Sequence, residues 1–312
     1  MSEMSNCSTV SFEKATLPIF LGTLGNWALL GVLAVQIGIY YWAFPKDKLG
    51  SKVLVASVAL LELLTTITCT RDAIRIFGIS WGNPQILDDV GWSWLSTPVV
   101  GSIIGAIGQI FFGWRIHVIS RGFWIPALIV AVSLVSMSGG IGAGVKLSAV
   151  PVFSGLPPGS NFKPTIIWLV ASSLCDLIIG ASMAFYLLRG RSGFGPTNAR
   201  ILQIVKLTVE TGSICALLVL IDLYLFVAYK DTSYHLGICD LLSKAYSNSI
   251  LVILNSRAYI GHVPTTEICY VPSELMFSNS TMSRQVPIQL DCNTVASTPS
   301  IINNNHEQKS EV

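Results

Sequence analysis

Charge is scarce in this chain. Asp, Glu, Lys and Arg make up only 12% of its 312 residues, against 52% apolar residues; a soluble globule carries about 25% charge. So little charge cannot cover a whole surface facing water, and the composition points to a membrane protein. The formal net charge is +2, with Lys and Arg scattered over connectors; without a clustered basic face, nucleic acid is excluded as a partner. Histidine is rarer still. His117, His235, His262 and His306 all stand outside the middle of any apolar run, and none has the H-E-x-x-H or paired-histidine spacing of a zinc site. The seven cysteines form no C-x-x-C pair and show no metal-like spacing. Cys69 and Cys239 both fall near the outer surface, where a disulfide could join them, and free thiols packed as small apolar groups are the expected state. Gly193-Phe194-Gly195 lacks the following glycine and preceding strand of a dinucleotide loop. No Ser/His/Asp set is apparent either. No enzyme, metal or cofactor is expected. Internal repeats are also absent, which counts against a transporter built from duplicated halves. The first sixteen residues carry no basic run ahead of an apolar core, so a cleaved signal peptide is not expected.

What the chain does have is long apolar runs. Seven are long enough to cross a bilayer, near 17–44, 52–70, 94–114, 123–145, 165–188, 204–228 and 237–256. The expected fold is an all-α membrane protein, a seven-transmembrane helix bundle over 17–260. A tail over 1–16 precedes it, and a disordered, Ser-, Thr-, Asn- and Pro-rich tail over 261–312 follows. The second run extends naturally through Arg71, Asp72 and Arg75 as a solvated helix end. Ten basic residues fall on connectors of one side and six on the other. That asymmetry sets the amino terminus outside and the carboxyl terminus in the cytosol, at a plasma or internal membrane. Asn6-Cys7-Ser8 is then an exposed glycosylation acceptor, while Asn279-Ser280-Thr281 is cytosolic. Trp81, Trp92 and Trp94 suit the water–lipid boundary. Glycines at 101, 105 and 108, and at 139, 140, 142 and 144, read as close-packing faces inside the bundle.

The last run is the least apolar. Lys244, Ser247, Asn248 and Asn255 stand at offsets of three, four and eleven residues, close to whole turns, and so share one helix face. A lysine is costly in hydrocarbon, so this face must look into protein. Other polar groups within the runs are Gln36, Glu62, Gln109, Asp176, Glu210 and Asp222. Counting depth along antiparallel neighbours puts Asp222 and Lys244 at one level, so these two are expected to pair. Glu62 and Asp176 then have no lysine at their level, and burial favours their neutral form. A retinal chromophore is set aside, because Lys244 lies too far from mid-membrane and 94–114 contains no carboxylate.

Several short motifs run along the chain. They are Gln36 with Tyr40-Tyr41, Pro45-Lys46-Asp47 and Lys52; Gln109 with Phe111-Phe112 and Arg115-Ile116; Asp176; Arg191-Ser192-Gly193-Phe194 with Thr197; and Lys244-Ala245-Tyr246-Ser247-Asn248-Ser249 followed by Leu254-Asn255-Ser256-Arg257. With these the chain resembles a fungal family of seven-helix integral membrane proteins known only as a domain of unknown function (DUF6534). The resemblance implies seven spans and a membrane location, and no activity. One departure is at Glu62, where such proteins more often have aspartate followed by histidine; Thr65 and Thr66 stand here instead of any histidine.

Three roles are compatible with this reading. The first is a receptor-like protein that senses an unknown small molecule near Glu62, Asp222 and Lys244. The second is a proton or cation path along Glu62, Asp176 and Glu210, and the third a scaffold without ligand. The expected partners are the lipid bilayer, that small molecule, and a cytosolic signalling protein docking on Arg189, Arg191, Arg200 and Lys206 around the flexible connector at 190–196.

Overall fold

A backbone in hydrocarbon finds no water to bond, so each apolar run satisfies its own N–H and C=O groups as a helix. The structure, a computed structural model, describes residues 2–87, 89–150, 152, 162–190, 197–228 and 234–261, with side chains between Thr16 and Arg257 apart from positions 84, 87, 162, 187, 189, 190 and 197–205. Its helices are α1 (Ser2–Ala43), α2 (Leu49–Ala73), α3 (Gly101–Ser120), α4 (Trp124–Ser148), α5 (Phe162–Gly190), α6 (Thr197–Ala228) and α7 (Tyr234–Gly261). A widened π-helical segment, Ile74–Ile79, continues α2, and another, Leu95–Val100, leads into α3. The second contains Pro98, which has no N–H to continue the regular ladder. All seven helices are long and apolar enough to span a membrane, and the protein is a multi-pass membrane protein. The helical backbone of α1 starts at Ser2, ahead of the first apolar run. The side chain of Asn6, residues 191–196 of the basic connector, and the carboxyl-terminal tail with Asn279 lie outside what is described.

Helix α7 is the hub. It packs against α1, α2, α3 and α6, while α4 and α5 close the far side. The two least apolar spans, α3 and α7, are also the most buried, as expected when lipid takes the apolar faces and protein takes the polar ones. One half of the bundle is filled by an apolar core that includes Leu33, Tyr40, Phe112, Ile129 and Leu251. The buried acidic and basic side chains include Glu62, Asp176, Asp222 and Lys244.

Glycines set the closest approaches. A Cβ built on Gly22 of α1 would stand 2.8 Å from Cα of Gly237 in α7, so the two backbones touch there. On α3, a Cβ at Gly108 would stand 3.1 Å from the Tyr246 ring, and on α4 one at Gly140 would meet Ser102 and Pro98. The glycine faces read from the sequence therefore do pack within the bundle. The α1–α7 contact, which was not among them, is the tightest backbone approach.

Gly237→Ala, which sets a methyl group against the Pro18 carbonyl, is expected to cost about 1–3 kcal/mol. Gly31→Ala, into open space, is expected to gain up to about 1 kcal/mol. Thermal unfolding of both variants in one detergent checks this, and equal midpoints would refute the backbone contact.

Candidate functional site

The α7 residues that face α1 and α2 form the first polar cluster. Lys244, wholly buried, donates Nζ to Oε2 of the equally buried Glu62 and, at 3.1 Å, to the Glu62 carbonyl. Ser247 Oγ donates to Glu62 Oε1 at 2.5 Å, and Ser243 Oγ to Oε2 at 3.4 Å. One carboxylate thus gathers an ammonium and two hydroxyls, the arrangement that lets a charge pair persist in a dry interior. From Glu62 the cluster continues to α1. Thr66 Oγ1 stands 2.9 Å from both the Glu62 carbonyl and Asn26 Oδ1, its single hydrogen serving one at a time. Asn26 Nδ2 donates to the Asp240 carbonyl of α7 at 3.3 Å, and Cys69 Sγ to Asp240 Oδ1 at 3.4 Å.

Lower on the same seam, Asn248 Nδ2 donates to the Leu29 carbonyl at 3.2 Å and Asn255 Nδ2 to the Gln36 carbonyl at 2.8 Å. Both pairs advance by seven residues, so α1 and α7 run parallel in matched register. The rung spacing is that of a heptad.

A second cluster lies on the opposite face of α7. Tyr246 O–H donates to Asp176 Oδ2 of α5, and Gln109 Nε2 of α3 donates to Asp176 Oδ1 at 3.2 Å and to Ser172 Oγ at 3.1 Å. A third joins α6 to the first turns of α7. Asp222, fully buried, has Oδ1 2.7 Å from His235 Nδ1, and its Oδ2 accepts from Cys239 Sγ at 3.1 Å.

These contacts correct the expected Asp222–Lys244 pair. Lys244 pairs with Glu62, and Asp222 with His235 and Cys239. From His235 to Lys244 is nine residues, or two and a half turns, so the two residues point to opposite sides of α7. Depth counting ignored that rotation, and it also left Glu62 without a lysine. Glu210 is not inside the bundle: its side chain is 56% exposed and lies 3.7 Å from Lys206, four residues earlier. Cys69 and Cys239 are both free and buried. His235 stands in the first turn of α7. Of the basic docking candidates, Lys206 is exposed, while the side chains of Arg189, Arg191 and Arg200 lie outside what is described.

Sequence reasoning missed Asn26, Asp240, His235 and Cys239. Their signals were short-range: Asp240 and Lys244, and likewise His235 and Cys239, stand four residues apart on one helix.

At the end of the bundle that carries most of the basic connectors, Asp47 ties the α1–α2 connector to α7. It accepts from Arg257 Nη2 at 2.6 Å, Tyr40 O–H at 2.9 Å and the Lys48 N–H at 2.8 Å. The Arg257 guanidinium also lies over the Phe44 ring, 4.6 Å from its centre. The Arg257 hydrogen bond, acting against partial burial, holds the Asp47 carboxyl well below the usual carboxylate range. Farther along, at the opposite end, burial pushes the Asp89 carboxyl up, but the Arg75 hydrogen bond and the Gly91 N–H outweigh it and leave the group below its ordinary value.

Residues 172–259 match a family of unknown function (DUF6534). The matched stretch covers less than a third of the chain. It holds Asp176, Asp222, His235, Cys239, Lys244 and Tyr246, and leaves out Glu62, Gln109 and Asp47. No curated protein and no solved structure matches the chain.

Lys244→Met alone strands the Glu62 carboxylate and is expected to destabilise the protein by about 3–5 kcal/mol. Adding Glu62→Gln should recover most of that loss, whereas Asp222→Asn with Lys244→Met should be additive. A double-mutant cycle on thermal unfolding in detergent distinguishes the two partners.

Because the folded-state Asp47 carboxyl is depressed, its contribution is fully present above the ordinary carboxylate range and lost as pH falls toward the folded value. Arg257→Gln should therefore be less stable than the parent chain at neutral pH, and the two should converge in acid. Unfolding midpoints across pH would show the gap closing; a constant gap would assign Arg257 to packing alone.

Proposed function

We propose that this protein is a receptor-like membrane sensor whose ligand is an amphipathic small molecule seated between α1 and α2. The observation that carries the reading is a cavity of about 510 Å³ walled by Trp27, Leu30, Leu63 and Ile67, with Arg71 and Arg75 at one end and Thr66 in its lining. Thr66 also belongs to the polar cluster through Glu62 and Asn26. A ligand in the groove thus touches a residue that connects α1, α2 and α7.

The cavity chemistry is that of an apolar body with an anionic or acceptor head. Leu63 and Ile67 offer hydrocarbon, and Arg71, half exposed and 4.8 Å above the Trp92 ring, offers a guanidinium at the water end. Glu62 and Lys244 do not line the groove and are wholly buried in protein; Thr66 is the lining residue that bonds to the Glu62 carbonyl. A ligand that favours one spacing of α1 and α2 shifts an equilibrium between helix arrangements. In this reading the amino terminus is outside, and the basic connector around Arg189, Arg191, Arg200 and Lys206 reports the shift to a cytosolic partner. The likeness to the family of unknown function extends, in the same proposal, to all seven helices.

A photoreactive alkyl-diazirine fatty acid, used on the full chain in nanodiscs, tests the groove. Labelling is expected to concentrate on the α1 and α2 peptides that carry Trp27 and Leu63, and to protect or expose α7 amides around Lys244 in hydrogen exchange. Leu63→Trp, which fills the groove, should remove both effects. Labels spread evenly over lipid-facing helices would sink the proposal, and charge-carrying flux in liposomes would replace it with a transporter.

A further inference from the structure

Three metal-ligating side chains converge where α6 meets the start of α7. Asp222, His235 and Cys239 each present one donor atom, and these atoms lie within 4.8 Å of one another. His235 and Cys239 are one turn apart on α7, and Asp222 faces them from α6, six residues before that helix ends at Ala228. Leu169 and Trp168 of α5, with Leu223 and Phe226 of α6, form an apolar wall beside Cys239. The Phe226 ring stands edge-on to His235, with centroids 4.9 Å apart.

We propose that Asp222, His235 and Cys239 bind one divalent cation of the zinc class, tetrahedrally, with water as the fourth ligand. Zinc bonds of about 2.0–2.3 Å at tetrahedral angles separate neighbouring ligand atoms by about 3.3–3.6 Å. Cys239 Sγ and His235 Nδ1 already stand 3.5 Å apart. Asp222 Oδ1 lies 2.7 Å from the imidazole Nδ1 and Oδ2 lies 3.1 Å from the thiol, so the oxygen that ligates needs to withdraw from its neighbour by roughly half an ångström to admit the ion.

One thiolate, one imidazole and one carboxylate suit zinc and not the oxygen-seeking calcium or magnesium. Ligation through Nδ1 uses the tautomer with hydrogen on Nε2. The Cys239 thiol gives up the proton it now directs at Asp222, so each cation bound releases one proton to water. His235, with 15% of its side chain exposed, is the way in, while Asp222 is fully covered.

A cysteine nucleophile activated by the same histidine fits less well. The thiol donates to the Asp222 carboxylate at 3.1 Å, and His235 Nε2, the nitrogen free of Asp222, is 3.8 Å away. That nitrogen therefore stands farther from the sulfur than the carboxylate that already accepts the thiol's hydrogen bond.

The test uses the full chain in detergent after treatment with a chelator. Saturating zinc is expected to slow alkylation of Cys239, followed peptide by peptide, at least about tenfold, as when fewer than one site in ten is free. Cobalt should bind at one equivalent per chain with a thiolate-to-cobalt charge-transfer band and the intense visible bands of a tetrahedral ion. Cys239→Ser should lose the charge-transfer band, and His235→Gln should lose metal retention, with helical circular dichroism unchanged in both. If either variant fails to fold, the alkylation of the unmodified chain decides. Equal Cys239 alkylation with and without zinc would overturn the proposal, as would a cobalt spectrum that Cys239→Ser leaves intact.

Discussion

The bundle depends on one buried charge pair. Bringing an ammonium and a carboxylate out of water costs several kcal/mol for each ion, and their attraction repays that only when the remaining donors and acceptors are met. Glu62 and Lys244 meet this condition through Ser243, Ser247 and the Glu62 carbonyl. The pair is weak evidence for stability but a strong constraint on arrangement. With either partner turned toward lipid, a full charge would face hydrocarbon. The rotation of α7 relative to α2 is therefore fixed, and through α7 so are the positions of α1, α3 and α6.

The seam between α1 and α7 solves a different problem. In hydrocarbon there is little apolar driving force between helices, so association rests on close packing and on hydrogen bonds that water does not compete for. Gly22 and Gly237 provide the close packing at one end. The Asn248 and Asn255 amides provide the bonds below, each reaching a main-chain carbonyl that already serves its own helix. Since the acceptors are backbone atoms, the seam constrains α1 by position and hardly at all by residue identity. That explains why Leu29, an unremarkable residue, stands opposite Asn248.

Much of this was legible in the sequence, and the failures share a cause. The seven spans, the continuation of α2 past Arg75, the glycine faces and the inward polar face of α7 follow from length, composition and the 3.6-residue period. All of these are local. The partners of Glu62 and Asp222 are not local, and depth alone could not assign them. Depth gives one coordinate of a buried side chain, and helix rotation gives the other. The rotation is nonetheless readable in the sequence, since Lys244 shares its face with Ser247 and Asn248 and lies on the opposite side of the helix from His235. Applying it to α7 would have separated Lys244 from the His235 side before any partner was chosen. Glu210 failed on rotation as well: its position along α6 put it within a span, but its side chain turns outward, 56% exposed and 3.7 Å from Lys206. Asp47 was legible only as part of a motif. Its partner Arg257 is more than two hundred residues away, and only the closure of the bundle brings them together.

The two faces of α7 also limit how the protein can move. Lys244 and Tyr246 are two residues apart, about 200° around the helix. One is held by α2 and the other by α5, with Gln109 of α3 bonded to the same Asp176. Any rotation of α7 large enough to release one contact also strains the other, so α7 is clamped in its seat. The α1–α2 pair is held differently. Across the groove it shares the Trp27–Thr70 bond at 3.1 Å, which is exposed, and the Thr66 hydroxyl, which has two acceptors for one hydrogen. Of those two acceptors the Glu62 carbonyl also receives Lys244 Nζ, so the Thr66 hydrogen is best used by Asn26 Oδ1. Thr66 is thus a point where α1, α2 and α7 share one set of hydrogen bonds, and drawing α1 away from α2 there takes the Thr66 hydrogen from the buried Asn26 Oδ1.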